Sequence, residues 1–328
     1  MQDLHAIITP SLLHRLYRAR VPWPLTHHVS GKELIAEFFS ADSSFTDAAQ
    51  EAWPALKALS KQYGPDKVPD MTAFLPPPAD PKFPEQAFGM HALLDQAPRV
   101  LFRGIDARWT SWFDRAARTL YTYFYGLPRQ LRPWTRGRWD ARDATFEYWI
   151  CVASEFNASM AHRETVGDQE LSAIRTEELR RAVVCHYRRR DPGRPARDGS
   201  LPPPLDEYSL VDLVTHIDLD RDWPFHEAAF FSFRVDDAHT PIISKFGRYP
   251  YRNAIEGRDS TPDELEWIRN TDHFAEAEPD VARRVRCDIE AGTWTPLGEG
   301  KGKERAEPAP VGRISSDVSL SVAIRTEA

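Results

Sequence analysis

The sequence predicts an all-α protein, a single helical domain. Two observations carry this reading. Apolar residues recur at intervals of three and four in segment after segment, and no repeated strand-turn alternation competes with them. In addition, Thr261-Pro-Asp-Glu264 supplies an N-cap, a proline for the first helical position and a capping-box acid, so a helix through Leu265, Trp267 and Ile268 is required.

Residues 1–30 read as an amino-terminal extension. Pro10, Pro22 and Pro24 interrupt it, and Leu12, Leu13, Leu16 and Tyr17 suit one short amphipathic helix. The helical domain spans 31–292. Leu34, Ile35, Phe38 and Phe39 form its first apolar face, and Ala49, Trp53, Leu56, Leu59 and Tyr63 the next, with Gly64 as a stop and Pro54 as a kink or true start. Residues 64–84, with Pro76-Pro77-Pro78, form a linker. Asp95, Arg99 and Arg103 then stand at intervals of four, but Pro98 divides the stretch, so one helix is expected to end near Asp95 and another segment to begin at Pro98.

Trp109, Trp112, Phe113, Ala116, Leu120, Tyr123 and Phe124 make an aromatic core face over 106–125. Further helices are predicted over 140–160, 168–187, 207–219 and 279–291, and 223–238 supplies the aromatics Trp223, Phe225, Phe230, Phe231 and Phe233. Between them, 188–206 is a basic, proline-rich exposed insertion, and 293–328 reads as a flexible tail whose Val318–Ile324 segment could dock.

The net charge of −7, from 42 Lys and Arg against 49 Asp and Glu, excludes a general nucleic-acid binder. The first residues lack the pattern of a signal peptide, and no apolar run approaches the roughly 20 residues of a membrane span, so a cytoplasmic location is expected. Cys151, Cys185 and Cys287 have no metal-type spacing and read as small apolar residues or idle thiols. The pair His27-His28 has no clear ligand partners.

The most distinctive stretch is His239-Thr-Pro-Ile-Ile-Ser-Lys-Phe-Gly-Arg-Tyr-Pro-Tyr-Arg-Asn253. Lys245 and Arg248 would share a helical face, and Pro250 forces a turn that brings Arg252 and Asn253 back, concentrating positive charge. An anion is the natural partner. The competing reading is that these aromatics are core and these arginines cap helices or pair with buried acids.

Three blocks resemble the domain-of-unknown-function 924 family. Leu94-Asp95-Gln96 to Arg99 with Phe102-Arg103-Gly104 is similar to its LDQFPRN-(I/L)-(F/Y)RG. Met160-Ala-His162-Arg-Glu164 with Asp168-Gln169-Glu170 is similar to its MHSE-x-x-x-DQE. His239 through Asn253, with Gly257-Arg258-Asp-Ser260-Thr261-Pro262, is similar to its H-x-x-I-I-x-RFGRFPHRN-x-x-x-GR-x-STPEE. Ala97, Val100, Arg163, Lys245 and Tyr251 depart from it. The resemblance implies tetratricopeptide-like helix packing. The long insertions resemble the fungal branch, which is distantly similar to unusual fungal sesquiterpene cyclases and so implies a magnesium pair and an essential lysine.

Chemically, Asp95, Glu164 and Asp168 could ligate magnesium, and Arg99, Arg103, Gln96, Asn253 and His239 could hold a diphosphate, with Lys245, Arg248, Arg252 and His162 serving the reaction. A prenyl diphosphate cyclase with an aromatic cavity is the leading expectation. It lacks a DDxxD cluster, since Asp236-Asp237 stands alone. The alternatives are a tetratricopeptide-like module for an acidic peptide, and a structural protein held by buried Arg–Asp pairs. The enzyme reading expects Asp95, Arg99, His162, Glu164, Arg248 and Arg252 to line one pocket.

Overall fold

The computed structural model describes residues 3–40, 44–195 and 200–300, and every regular element among them is helical. After α1 (Leu4–Ile7), α2 (Pro10–Arg20) begins at Thr9, whose hydroxyl accepts from Leu12 N at 3.2 Å. Leu13, Leu16 and Tyr17 are fully enclosed. They are covered by α4 (Phe45–Tyr63) and α5 (Phe83–His91), so the amino-terminal extension forms part of the core. The closest approach is at Gly89, where an added Cβ would lie 2.0 Å from the Leu13 carbonyl oxygen.

A Ser30–Glu33 capping box opens α3 (Gly31–Phe39). Helix α4 continues through Pro54: a helix-interior proline costs about 3 kcal/mol, and burial of Ala49, Ala52, Ala55, Leu56 and Leu59 offsets it. Gly64 ends α4 with φ +65°. The proline-rich connection holds a short turn at Met71–Phe74, anchored by buried Met71.

The break expected near Asp95 is instead a widened turn. After α5, residues Ala92–Gln96 form a π-turn in which Ala97 N bonds Ala92 O, and α6 (Ala97–Leu101) follows directly. Pro98 thereby falls in the first turn of α6, where its missing N–H costs nothing. A tight turn at Gly104–Trp109 leads into α7 (Thr110–Gly126), whose Trp112, Phe113, Leu120 and Phe124 are core.

Helices α8 (Arg136–Asp140), α9 (Phe146–Glu155) and α10 (Ala158–Ala161) precede the long α11 (Val166–Tyr187), capped by Thr165. The insertion from 188 is pinned at its start, where buried Asp191 meets Arg180 at 2.6 Å; residues 196–199 of it lie outside the described residues. Then come α12 (Ser209–Thr215), α13 (Phe225–Asp237), α14 (His239–Phe246), a turn at Pro250–Arg252, α15 (Asn253–Glu256), α16 (Pro262–Asn270) and α17 (Pro279–Glu290). The predicted Thr261–Glu264 capping box is formed. Helix α11 packs against both α13 and α14, joining the large aromatic core to a smaller one around Ile242, Tyr249, Tyr251 and Trp267.

Beyond α17 the chain returns to the body. Trp294 lies over the Arg108 guanidinium at 3.8 Å, and Leu297 is buried. The rest of the expected tail, including Val318–Ile324, lies outside the described residues. No helix among the described residues is long and apolar enough to cross a membrane.

The α2–α5 contact gives a direct test. Gly89→Ala drives a methyl into main chain and should cost about 3 kcal/mol or prevent folding. Gly167→Ala in α11, where nothing lies within 4 Å, should be neutral or add up to about 1 kcal/mol. Urea denaturation of both variants checks the contrast.

Candidate functional site

Asp95, brought inward by the π-turn, has no solvent exposure. Its Oδ1 accepts from His162 Nδ1 at 3.1 Å and lies 3.4 Å from Arg99 Nη1, while Oδ2 accepts from Gln96 Nε2 at 2.6 Å. Burial alone would raise this carboxyl, but the Arg99 guanidinium and His162 outweigh it and hold Asp95 well below the usual carboxylate range. Arg99 Nη2 also donates to Asp114 Oδ1 at 2.7 Å. Asp114 in turn accepts from Arg252 Nη1 at 3.2 Å, and the same nitrogen bonds the His162 carbonyl at 3.1 Å. One buried chain of charges therefore runs Asp95, Arg99, Asp114, Arg252.

His162 follows α10 in a non-repetitive segment, so something must fix its backbone. Gln169 does so from the first turns of α11: its Nε2 donates to Ala161 O and Arg163 O, each at 2.8 Å. The Tyr249 hydroxyl donates to the same Ala161 carbonyl. With Nδ1 donating to Asp95, the His162 ring presents Nε2 as an acceptor.

A cavity of about 110 Å³ opens beside this ring. Gln96 and Arg99 of the first sequence block, His162 of the second and His239 of the third all border it, together with Asp236 and Phe39. His239 donates Nδ1–H to Val235 O at 2.9 Å, and its ring lies 6.0 Å from that of His162. Asp236 accepts from Asn157 Nδ2 and Thr176 Oγ1, each at 3.2 Å. Burial nevertheless raises its carboxyl to about 7. Asp236 and Asp114 were not among the residues the sequence singled out. Asp236 was set aside for want of a DDxxD pattern, and Asp114 lies within an aromatic core helix, with no local signal to reveal it.

The other anticipated residues lie elsewhere. Lys245 is half exposed and pairs with Glu207. Arg248 forks onto Glu264 at 2.6 and 2.8 Å, and Glu164 accepts from Arg258 at 2.6 and 3.0 Å and from Tyr249 N at 3.0 Å. The Asp168 carboxylate accepts from the Thr165 hydroxyl at 2.8 Å and meets Arg118 at 3.1 Å, and Asn253 bonds Ser260 at 3.0 Å. The turn after α14 thus distributes its cations onto separate acids instead of gathering them. Glu164 and Arg248 leave the expected single pocket, while Asp95, Arg99, His162 and Arg252 remain one network.

Magnesium needs several oxygen ligands at one point. Asp95, Glu164 and Asp168 are each bound to different cations, and among the described residues no three His, Cys, Asp or Glu side chains are grouped to hold a metal. The residues present do not fit that ion. His27 and His28 likewise go separately to Glu33 and Glu147.

The model of a family described as a bacterial protein of unknown function, DUF924, matches residues 36–272. The chain belongs to the DUF924 family. No curated protein and no solved structure matches it. All three DUF924 blocks lie within the matched span, and the geometry divides them into two kinds of residue. Gln169, Glu164, Arg248 and Arg258 hold backbone segments together, whereas Gln96, Arg99, His162 and His239 meet at the cavity with Asp95 behind His162.

Two predictions follow from the network. Asp114→Ala leaves two buried guanidiniums without their shared acid and should cost about 3–5 kcal/mol by chemical denaturation. For Asp236, the folded carboxyl titrates near 7 and the unfolded one near 3.9, so the unfolded chain ionises first as pH rises. Stability relative to Asp236→Asn should therefore fall between about pH 4 and pH 7 and level off above. Paired denaturation curves at several pH values measure this difference.

Proposed function

We propose that this DUF924 protein is a general acid–base enzyme acting on a small polar substrate, with His162 Nε2 as the base and Asp236 as the acid. The observation that supports it is the meeting of three distant sequence blocks at one cavity around a histidine oriented by a buried carboxylate. Asp95 keeps the His162 ring in one tautomer and stabilises the imidazolium formed when Nε2 takes a proton. Asp236, its carboxyl raised by burial to about 7, can return one across the same space in its protonated form. Gln96 and Arg99 border the substrate's position while engaged with the Asp95 side chain, so they orient the site through that carboxylate.

The prenyl diphosphate reading asks for more than these residues supply. Its three acids are each engaged with different cations, and Lys245 is on the surface with Glu207. An acidic-peptide module would draw on several cations, and Lys245, Arg248 and Arg258 are each paired with an acid, whereas Arg103 bonds only main-chain carbonyls. The structural reading accounts well for these last pairs and leaves the His162–Asp236 cavity unexplained.

The test is a panel of two- to six-carbon oxo acids, hydroxy acids, amides and esters, followed by NMR in deuterated water for hydrolysis or for exchange of acidic C–H protons. At least one compound should be turned over, and His162→Gln should slow it by about 10²–10⁴. No turnover by well-folded wild type, or equal turnover by His162→Gln, would sink the acid–base reading.

A further inference from the structure

Arg99 and Arg252 also border a second space, distinct from the His162 cavity. It is a cleft of about 310 Å³ beside α6 and the Gly104–Trp109 turn, completed by the Tyr251–Glu256 segment and by Val281 of α17. Arg103 stands in its wall. The guanidinium is fixed there by Nη1, which donates to the carbonyls of Arg99 at 2.9 Å and Phe102 at 2.7 Å. Both are main-chain acceptors, and no carboxylate among the described residues pairs with this side chain. Desolvation, uncompensated by any anion, lowers the proton affinity of Arg103.

Glu256 borders the same cleft from α15. No ion pair within 4 Å is formed by it among the described residues; burial raises its carboxyl, against the Ser111 hydroxyl and the more distant positive charges of Arg252 and Arg258. A cation and an anion therefore sit in one cleft, each partly stripped of water and neither paired with the other. This distinguishes Arg103 from Arg248 and Arg258, whose carboxylates are built in. The same wall carries apolar surface from Phe102, Ile255 and Val281, and the further carboxylates Glu276 and Glu278.

We propose that this cleft binds a small zwitterion of the free amino-acid class, its carboxylate on Arg103, its ammonium at Glu256 and its side chain against Phe102, Ile255 and Val281. A planar guanidinium held by its own backbone presents a preorganised fork to a carboxylate. A simple dianion is disfavoured by Glu256, and a simple amine by Arg103. The site needs no acid–base chemistry at His162, so it stands or falls separately from the proposed function.

A thermal-shift screen of the full-length protein against the standard amino acids, followed by calorimetry on the best of them, tests this. Saturable binding is expected, and the matched carboxylic acid lacking the amine and the amine lacking the carboxylate should each bind at least tenfold more weakly. Arg103→Met and Glu256→Gln should each weaken binding by tenfold or more, with Arg103→Lys intermediate and helical content unchanged by circular dichroism. His162→Gln should leave the affinity as it is. Absence of saturable binding by any amino acid overturns the proposal. So does equal affinity for the analogues missing one charge, or full affinity in a folded Arg103→Met protein.

Discussion

A carboxylate with no access to water stays ionised only where the chain supplies counter-charge and donors, and Asp95 is such a group. Its two oxygens are shared among His162, Arg99 and Gln96. Satisfying them requires α5, α6 and the segment after α10 to meet at one point, and Asp114 extends the requirement to α7 and, through Arg252, to the turn after α14. Such a network adds little net stability compared with an apolar core of the same shape, yet losing one member strands the rest. Its consequence is geometric: the His162 ring can occupy one orientation.

That geometry depends on the widened turn at Ala92–Gln96. Each residue of an α-helix rotates the chain by about 100°, so a single extra residue resets which side chains face inward. With the π-turn in place, Asp95 faces the core and Pro98 falls at a position needing no donor. A regular α-helix through the same residues would leave Pro98 in conflict with the Leu94 carbonyl. The backbone irregularity and the buried acid are thus two aspects of one solution, in keeping with the concentration of π-turns at functional positions.

Much of the helical fold was legible because apolar periodicity and caps are local signals. Thr261–Glu264 folds as its residues dictate, and the aromatic face of α7 is the core it was expected to be. What the sequence could not supply was pairing. The sign of Lys245, Arg248 and Glu164 is plain in the sequence, but their partners Glu207, Glu264 and Arg258 come from separate turns and helices, and those partners decide whether a charge is available to a ligand. Asp114 was hidden for the same reason, since its role exists only when α6 and the Pro250–Arg252 turn close on it. The amino-terminal helices were underrated because the cause of their burial lies at Gly89, where backbone contact leaves no periodic trace.

Arg99 borders both the His162 cavity and the Arg103 cleft, yet its fork is already engaged by Asp95 and Asp114. A guanidinium so bound serves as a fixed wall, because drawing it toward a ligand would uncover two buried carboxylates at once. The proposed roles accordingly fall to His162 Nε2 and Asp236 on one side and to Arg103 and Glu256 on the other. The density of arginine in the DUF924 blocks is therefore a poor guide to where a ligand sits. Most of those cations hold the scaffold still, which fixes the positions of the few groups to which the proposed roles are assigned.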